Sequence, residues 1–159
     1  MRLTRPLILA ALLTCTATPV FADATIFIGT NSTPSNRQVK GFAFGLGLLV
    51  VAFEFEYSSS SEELLDAAPA LKTGMGNVLL QTPFAIMGFQ PYFTSGGGAY
   101  RETFDTRQET NFGINSGGGV KISLVGPVRA RVDYRVFKLR GDPLHDTVHR
   151  LYAGLNLKF

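Results

Sequence analysis

The chain has 159 residues, 45% of them hydrophobic, with 15 Lys+Arg against 12 Asp+Glu. That length suits one domain, and the nearly balanced charge without a basic run excludes a nucleic-acid partner. A single cysteine, Cys15, excludes an internal disulfide framework.

The first residues read as a secretory signal. Arg2 and Arg5 give a basic start, Leu7 to Leu13 a short apolar run, and Val20-Phe21-Ala22 a small-residue cleavage site ahead of Asp23. The apolar run is too short to cross a bilayer as a helix. A lipoprotein site at Cys15 is the alternative, but Leu13 and Thr14 fit that processing poorly. The reading is thus a signal peptide over 1–22 and one domain over 23–159. Cleavage removes Cys15, Arg2 and Arg5, and the remaining 13 Lys+Arg against 12 Asp+Glu leave +1. Beyond Asp23 no apolar stretch reaches the length a helix needs to span a bilayer. Any membrane crossing must then use a closed barrel, which satisfies its backbone without helices.

Eight strands are predicted, at 24–30, 39–46, 49–58, 70–82, 87–101, 109–123, 127–138 and 148–159. Read as one strand, 39–58 would run about 66 Å, over twice a bilayer core, so Gly45 and Gly47 predict a hairpin within it, turning at Gly47-Leu48. Links after the odd-numbered strands are polar: 31–38, 59–69, 102–108 and 139–147. Links after strands two, four and six are tighter: Gly47-Leu48, Pro83 to Ile86, and Leu124-Val125-Gly126. Outer-membrane barrels have such short periplasmic turns, longer external loops and even strand counts.

The strands alternate with period two. Val51, Phe53, Phe55 and Tyr57 oppose Ala52, Glu54, Glu56 and Ser58. Phe112, Ile114, Val120 and Ile122 oppose Asn111, Asn115, Lys121 and Ser123. Val128, Ala130, Val132, Tyr134 and Val136 oppose Arg129, Arg131, Asp133, Arg135 and Phe137. In the last segment Leu151, Ala153, Leu155, Leu157 and Phe159 oppose Arg150, Tyr152, Gly154, Asn156 and Lys158. A strand reaching Phe159 still has two edges to pair, and closure of the sheet supplies both partners. All 17 glycines follow the signal, many within strands, as in Gly96-Gly97-Gly98 and Gly117-Gly118-Gly119. Glycine permits the tight curvature of a narrow barrel and leaves room for long side chains opposite.

Directing the polar faces inward collects Glu54, Glu56, Lys121, Arg129, Arg131, Asp133, Arg135, Arg150 and Lys158 in the lumen, an expected surplus of three positive charges. An eight-stranded lumen is only wide enough to be packed by side chains, so a salt-bridged plug is favoured over a gated, anion-preferring pore. His145 and His149 have a helical zinc spacing, yet Gly141-Asp142-Pro143 opposes a helix, so no metal is expected. Ser58 to Ser61 with Glu62, Glu63 and a distant His are the elements of a nucleophilic site, though they read more simply as a solvated loop. The glycine triplets lack the Lys-Ser/Thr ending of a phosphate loop.

Three segments carry a family resemblance: Gln90-Pro91-Tyr92 leading into glycine-rich 95–99, Val132-Asp133-Tyr134-Arg135, and Tyr152-Ala153-Gly154-Leu155. With the signal peptide and the terminal aromatic, the chain resembles the small OmpA/OmpX-type outer-membrane barrels over essentially all of 23–159. The resemblance implies an all-β, eight-stranded antiparallel up-and-down transmembrane β-barrel in the cell outer membrane. It further implies a lumenal Glu/Arg/Lys network, for which Glu54, Glu56, Arg129, Arg131 and Arg135 qualify. It also implies an assembly signal at Tyr152, Leu155, Leu157 and Phe159 read by the barrel assembly machinery. Without Trp, the interfacial girdles must rest on Tyr and Phe. The expected role is structural or surface-interacting, non-enzymatic and without cofactors, with membrane lipid as partner and external loops 59–69 and 139–147 open to a surface ligand. The competing readings are a soluble lipocalin-like periplasmic barrel for a small apolar ligand, which needs the apolar face inside, a narrow gated pore, and a lipid-modifying barrel enzyme.

Overall fold

A computed structural model describes residues 20–159. Its eight strands are β1 (Val20–Asn31), β2 (Arg37–Leu48), β3 (Val51–Ser60), β4 (Ala70–Gln81), β5 (Phe89–Phe104), β6 (Arg107–Val125), β7 (Val128–Leu139) and β8 (Thr147–Lys158). Each pairs antiparallel with its sequence neighbours, and β8 returns to β1 through Lys158↔Asp23 to Arg150↔Asn31, closing the barrel. Closure removes the exposed edges that an eight-stranded open sheet would present to other chains.

The alternation drives the fold inside out. On β3, Phe53 is 57% exposed whereas its neighbour Glu54 is 4% exposed. Outward residues Val51, Phe53, Phe55 and Tyr57 make a stripe about 20 Å long, close to the height of a transmembrane barrel's apolar band. Ile26, Ile28, Phe42, Phe44, Leu46, Val78, Leu80, Phe93, Val132, Leu151 and Leu155 continue that belt around the wall. This polarity is the reverse of what a lipocalin-like pocket requires.

Glycine lets β4 and β5 pack closely where their ladder crosses Gly74 and Gly98. A Cβ on Gly98 would stand 2.0 Å from the Gly74 carbonyl oxygen, so only glycine lets the two backbones approach there.

Three connections differ from expectation. The polar stretch 102–108 is mostly strand, because β5 and β6 pair out to Phe104↔Arg107 around a two-residue turn, Asp105-Thr106. Polarity suggested a loop; the ladder instead continues past the apolar belt with polar residues on both faces. The β2–β3 hairpin turns at Leu49-Val50, with Leu49 at φ 50°. Gly47 pairs with Ala52 inside the ladder, and the turn falls beyond it. The β4–β5 link spans 82–88, closed by mutual Ile86–Phe89 backbone bonds of 2.8 and 3.0 Å. The expected signal lies outside the described residues except for Val20 to Ala22, which begin β1 opposite Leu48, Gly47 and Leu46.

Candidate functional site: the ionic lumen

Inward residues on β7 rise from Arg129 near the terminal end to Leu139 at the opposite end, and they mark successive layers of the lumen. In the lowest layer Asp23 of β1 bridges Lys121 Nζ at 2.6 Å and Arg129 Nη2 at 3.1 Å. Arg129 also donates to Asn156 Oδ1 (2.7 Å) and Gln90 Oε1 (3.0 Å), and Asn156 donates to Thr25 Oγ1 (2.8 Å). These neutral acceptors hold the guanidinium plane so that one fork stays free for the carboxylate.

The central layer is fully enclosed. Glu54 accepts from Arg131 Nη1 at 2.5 Å and from Arg135 Nη2 at 2.9 Å. Asp133, between those two arginines in sequence, accepts from Arg135 Nε at 2.8 Å and from Arg131 Nη2 at 3.2 Å. Tyr92 donates its hydroxyl to Asp133 and accepts from Arg131 Nε at 2.7 Å. Its ring fits because residue 119 is glycine; a Cβ there would lie 2.8 Å from Tyr92 Cζ. Arg131 lies 4.9 Å over the Tyr92 ring and 5.7 Å from the Tyr152 ring, adding cation–π attraction in a fully buried layer. Two carboxylates shared between two guanidiniums satisfy most of the hydrogen-bonding capacity that burial would otherwise leave stranded.

Above this, Glu56 accepts from Arg150 Nη1 at 2.9 Å and stands 3.0 Å from Arg135 Nη1, linking the layers. Arg150 further donates to Asn31 Oδ1 (3.1 Å) and stacks 4.2 Å over Phe137. Phe137 belongs to an apolar cap with Leu71, Met75, Tyr100, Leu139 and Val148. The interior is therefore ionic in the middle and greasy toward the end opposite the termini.

Of the sequence-predicted residues, Glu54, Glu56, Lys121, Arg129, Arg131, Asp133, Arg135 and Arg150 lie together in this chain of contacts. Lys158 does not join it: it sits half-exposed at the terminal rim, 3.7 Å over the Phe21 ring. Asp23, Arg37 and Glu102 also point inward, unanticipated, although period two placed Asp23 on one face with Thr25, Phe27 and Asn31. Among the described lumenal residues six cations then face five carboxylates, so the expected surplus of three shrinks to one.

The four residues expected to form an assembly signal do not share a face. Leu155, Leu157 and Phe159 are exposed on the wall, while Tyr152 is buried and stacks on Phe27 with ring centroids 4.1 Å apart. Nor do the serine and histidine elements meet. Ser58 faces the lumen and exchanges a 2.8 Å hydrogen bond with Thr73, whereas the His149 ring bonds Tyr134 on the outer wall.

No family model and no curated protein matches this sequence. Solved structures do match the fold. Neisserial surface protein A shares 14% identity at a TM-score of 0.69, over 88% of this chain and 97% of that one. The N-terminal β-barrel domain of Pseudomonas aeruginosa OprF shares 15% at 0.64, over 87% and 97%. The attachment invasion locus protein Ail of Yersinia pestis, solved with the heparin analogue sucrose octasulfate, shares 11% at 0.55, over 88% and 98%. With its closed antiparallel ring and outward apolar belt, the chain has the fold of the small eight-stranded outer-membrane β-barrels.

Proposed function

We propose that this protein is an integral outer-membrane barrel with a structural or surface-interaction role, delivered by a cleaved signal over 1–22, its lumen plugged by the Glu54/Glu56/Asp133–Arg131/Arg135/Arg150 network. The observation that carries the reading is the reversed polarity of Phe53 and Glu54, one exposed in the belt and the other in the ionic centre. Apolar side chains favour acyl chains on one side of the wall, and ionic groups find compensation only on the other. The termini and the 49–50, 82–88 and 126–127 connections share one end, assigned to the periplasm. The 32–36, 61–69, 105–106 and 140–146 connections face outside and carry any surface contact. Arg107 bridging Asp142 at 2.8 Å supports a defined outer surface by tying the start of β6 to the 140–146 connection.

Leu155, Leu157 and Phe159 present the outward stripe that the assembly machinery reads during insertion. The test of the whole reading is membrane fractionation combined with gel mobility before and after boiling. An outer-membrane band that migrates as a compact species until heated is expected. A freely soluble periplasmic monomer rejects the proposal.

A further inference from the structure

We infer that the outer wall of β4 and β5 binds an acyl lipid whose headgroup carries a phosphate monoester, an inference that rests on the membrane-embedded reading. Following the ladder from β1 to β6, one row of paired residues reads Ile28, Lys40, Ser59, Lys72, Arg101 and Thr110. Lys40, Lys72 and Arg101 are exposed, the row holds no carboxylate, and among the described residues none of the three makes an ion pair. Lys72 and Arg101 are direct cross-strand partners, with Cβ atoms about 5 Å apart, a placement in which like charges repel. An anion between them removes that cost. Among the described residues this pair makes one side-chain hydrogen bond, from Arg101 Nε to Thr110 Oγ1 at 3.2 Å, which leaves both terminal guanidinium nitrogens without a protein partner. A phosphate monoester offers oxygens that such a fork and a neighbouring ammonium engage together.

Directly toward the terminal end the wall is hollowed for a chain. The next outward row runs Tyr57, Gly74, Ala99, Phe112, so two small residues lie between two aromatic ones. Beneath Lys72 and Arg101 this makes a furrow of about 370 Å³. A Cβ placed on Gly74 would meet nothing within 4 Å, and Gly76 continues the open floor. The Phe112 ring leans over the neighbouring Gly97 instead, 2.7 Å from where a Cβ there would stand. Beyond Gly76 lies a larger furrow of about 640 Å³, walled by Phe44, Leu46, Phe53, Phe55 and Val78. Cations stand above two successive, mainly apolar furrows, the order in which a lipid presents its phosphate and its tail. All three cations lie near the strand ends assigned to the outside, where headgroups meet the wall.

The test uses the full barrel purified in dodecyl maltoside and native mass spectrometry with dioleoyl phosphatidic acid, dioleoyl phosphatidylcholine and inorganic phosphate as probes. The wild type is expected to retain one phosphatidic acid in preference to phosphatidylcholine, with inorganic phosphate a poor competitor. Replacing both cations (Lys72→Gln with Arg101→Gln) weakens retention about tenfold or more, since two charge-assisted contacts are lost. Gly74→Leu, which fills the furrow and leaves the charges, weakens it as well, and Lys138→Gln on the far wall does not. Equal retention of phosphatidylcholine, undiminished binding after the double replacement, or displacement by equimolar inorganic phosphate overturns the inference. The heat-shifted gel band is followed for each variant. Its absence in the wild type counts against the barrel reading, and its presence with no lipid preference counts against the site alone. If the double variant does not fold, Arg101→Gln and Gly74→Leu decide.

Discussion

Glu56 of β3 and Arg150 of β8 meet at 2.9 Å across the lumen, 94 residues apart in the chain and both buried. No local propensity brings them together; closure of the barrel does. Once closed, each compensates a charge that the interior would otherwise penalise heavily, so the pair should report on the integrity of the whole ring.

Glu56→Gln keeps the side-chain volume and removes the negative charge, leaving Arg150 without its carboxylate. Breaking one partner of a buried pair costs about 3–5 kcal/mol. The urea midpoint of the heat-modifiable band should fall accordingly. An unchanged midpoint would mean that water reaches this layer and screens it.

Coupling in the central layer is open to a double-mutant cycle. Arg131→Met and Glu54→Gln each strand a charge, whereas the combined variant leaves neither, so its destabilisation should be smaller than the two single losses added, by roughly 0.5–3 kcal/mol. Strict additivity would show that Glu54 and Arg131 do not share the energy their 2.5 Å contact implies.

The proposed plug makes an electrical prediction. In planar lipid bilayers the wild-type barrel should show no stable conductance steps. Arg131→Ala with Arg135→Ala should open a leak, because both guanidiniums of the central layer are removed. Steady wild-type current would reject the plug.

Two glycines should behave oppositely. Gly98→Ala drives a methyl into the Gly74 carbonyl and should cost about 1–3 kcal/mol, the scale of overpacking in a close-fitted site. Gly74→Ala meets open space on the outer wall and should stay within about 0.5 kcal/mol of wild type. Unfolding midpoints measured in one detergent compare them directly.

Phe159 separates assembly from stability. Its ring is exposed, and its amide bonds the Ala22 carbonyl at 2.8 Å, a contact that any residue there can make. Phe159→Ser should lower the folded fraction recovered from outer membranes while leaving the midpoint of detergent-refolded protein nearly unchanged. A parallel drop in both would assign the aromatic a packing role.

The linear chain by itself determined the strand number, the alternation and which residues share a face, because a period of two is a local property of an extended backbone. Glu54 beside Phe53, and Arg131 beside Val132, needed only that period. The contents of the polar face were legible where charges stood in a row, as in 129–135, and missed where a lone Asp23 sat beside an expected cleavage site. Polar composition misled at 102–108, since a β-ladder keeps pairing through its backbone where both faces are polar. Only the tertiary structure decided who pairs with whom: that Asp23 neutralises Lys121 and Arg129, that Glu54 faces β7, and that Lys72 stands opposite Arg101. Those partners come from the register and curvature of a closed ring, and register is a long-range agreement among eight strands that no single strand encodes.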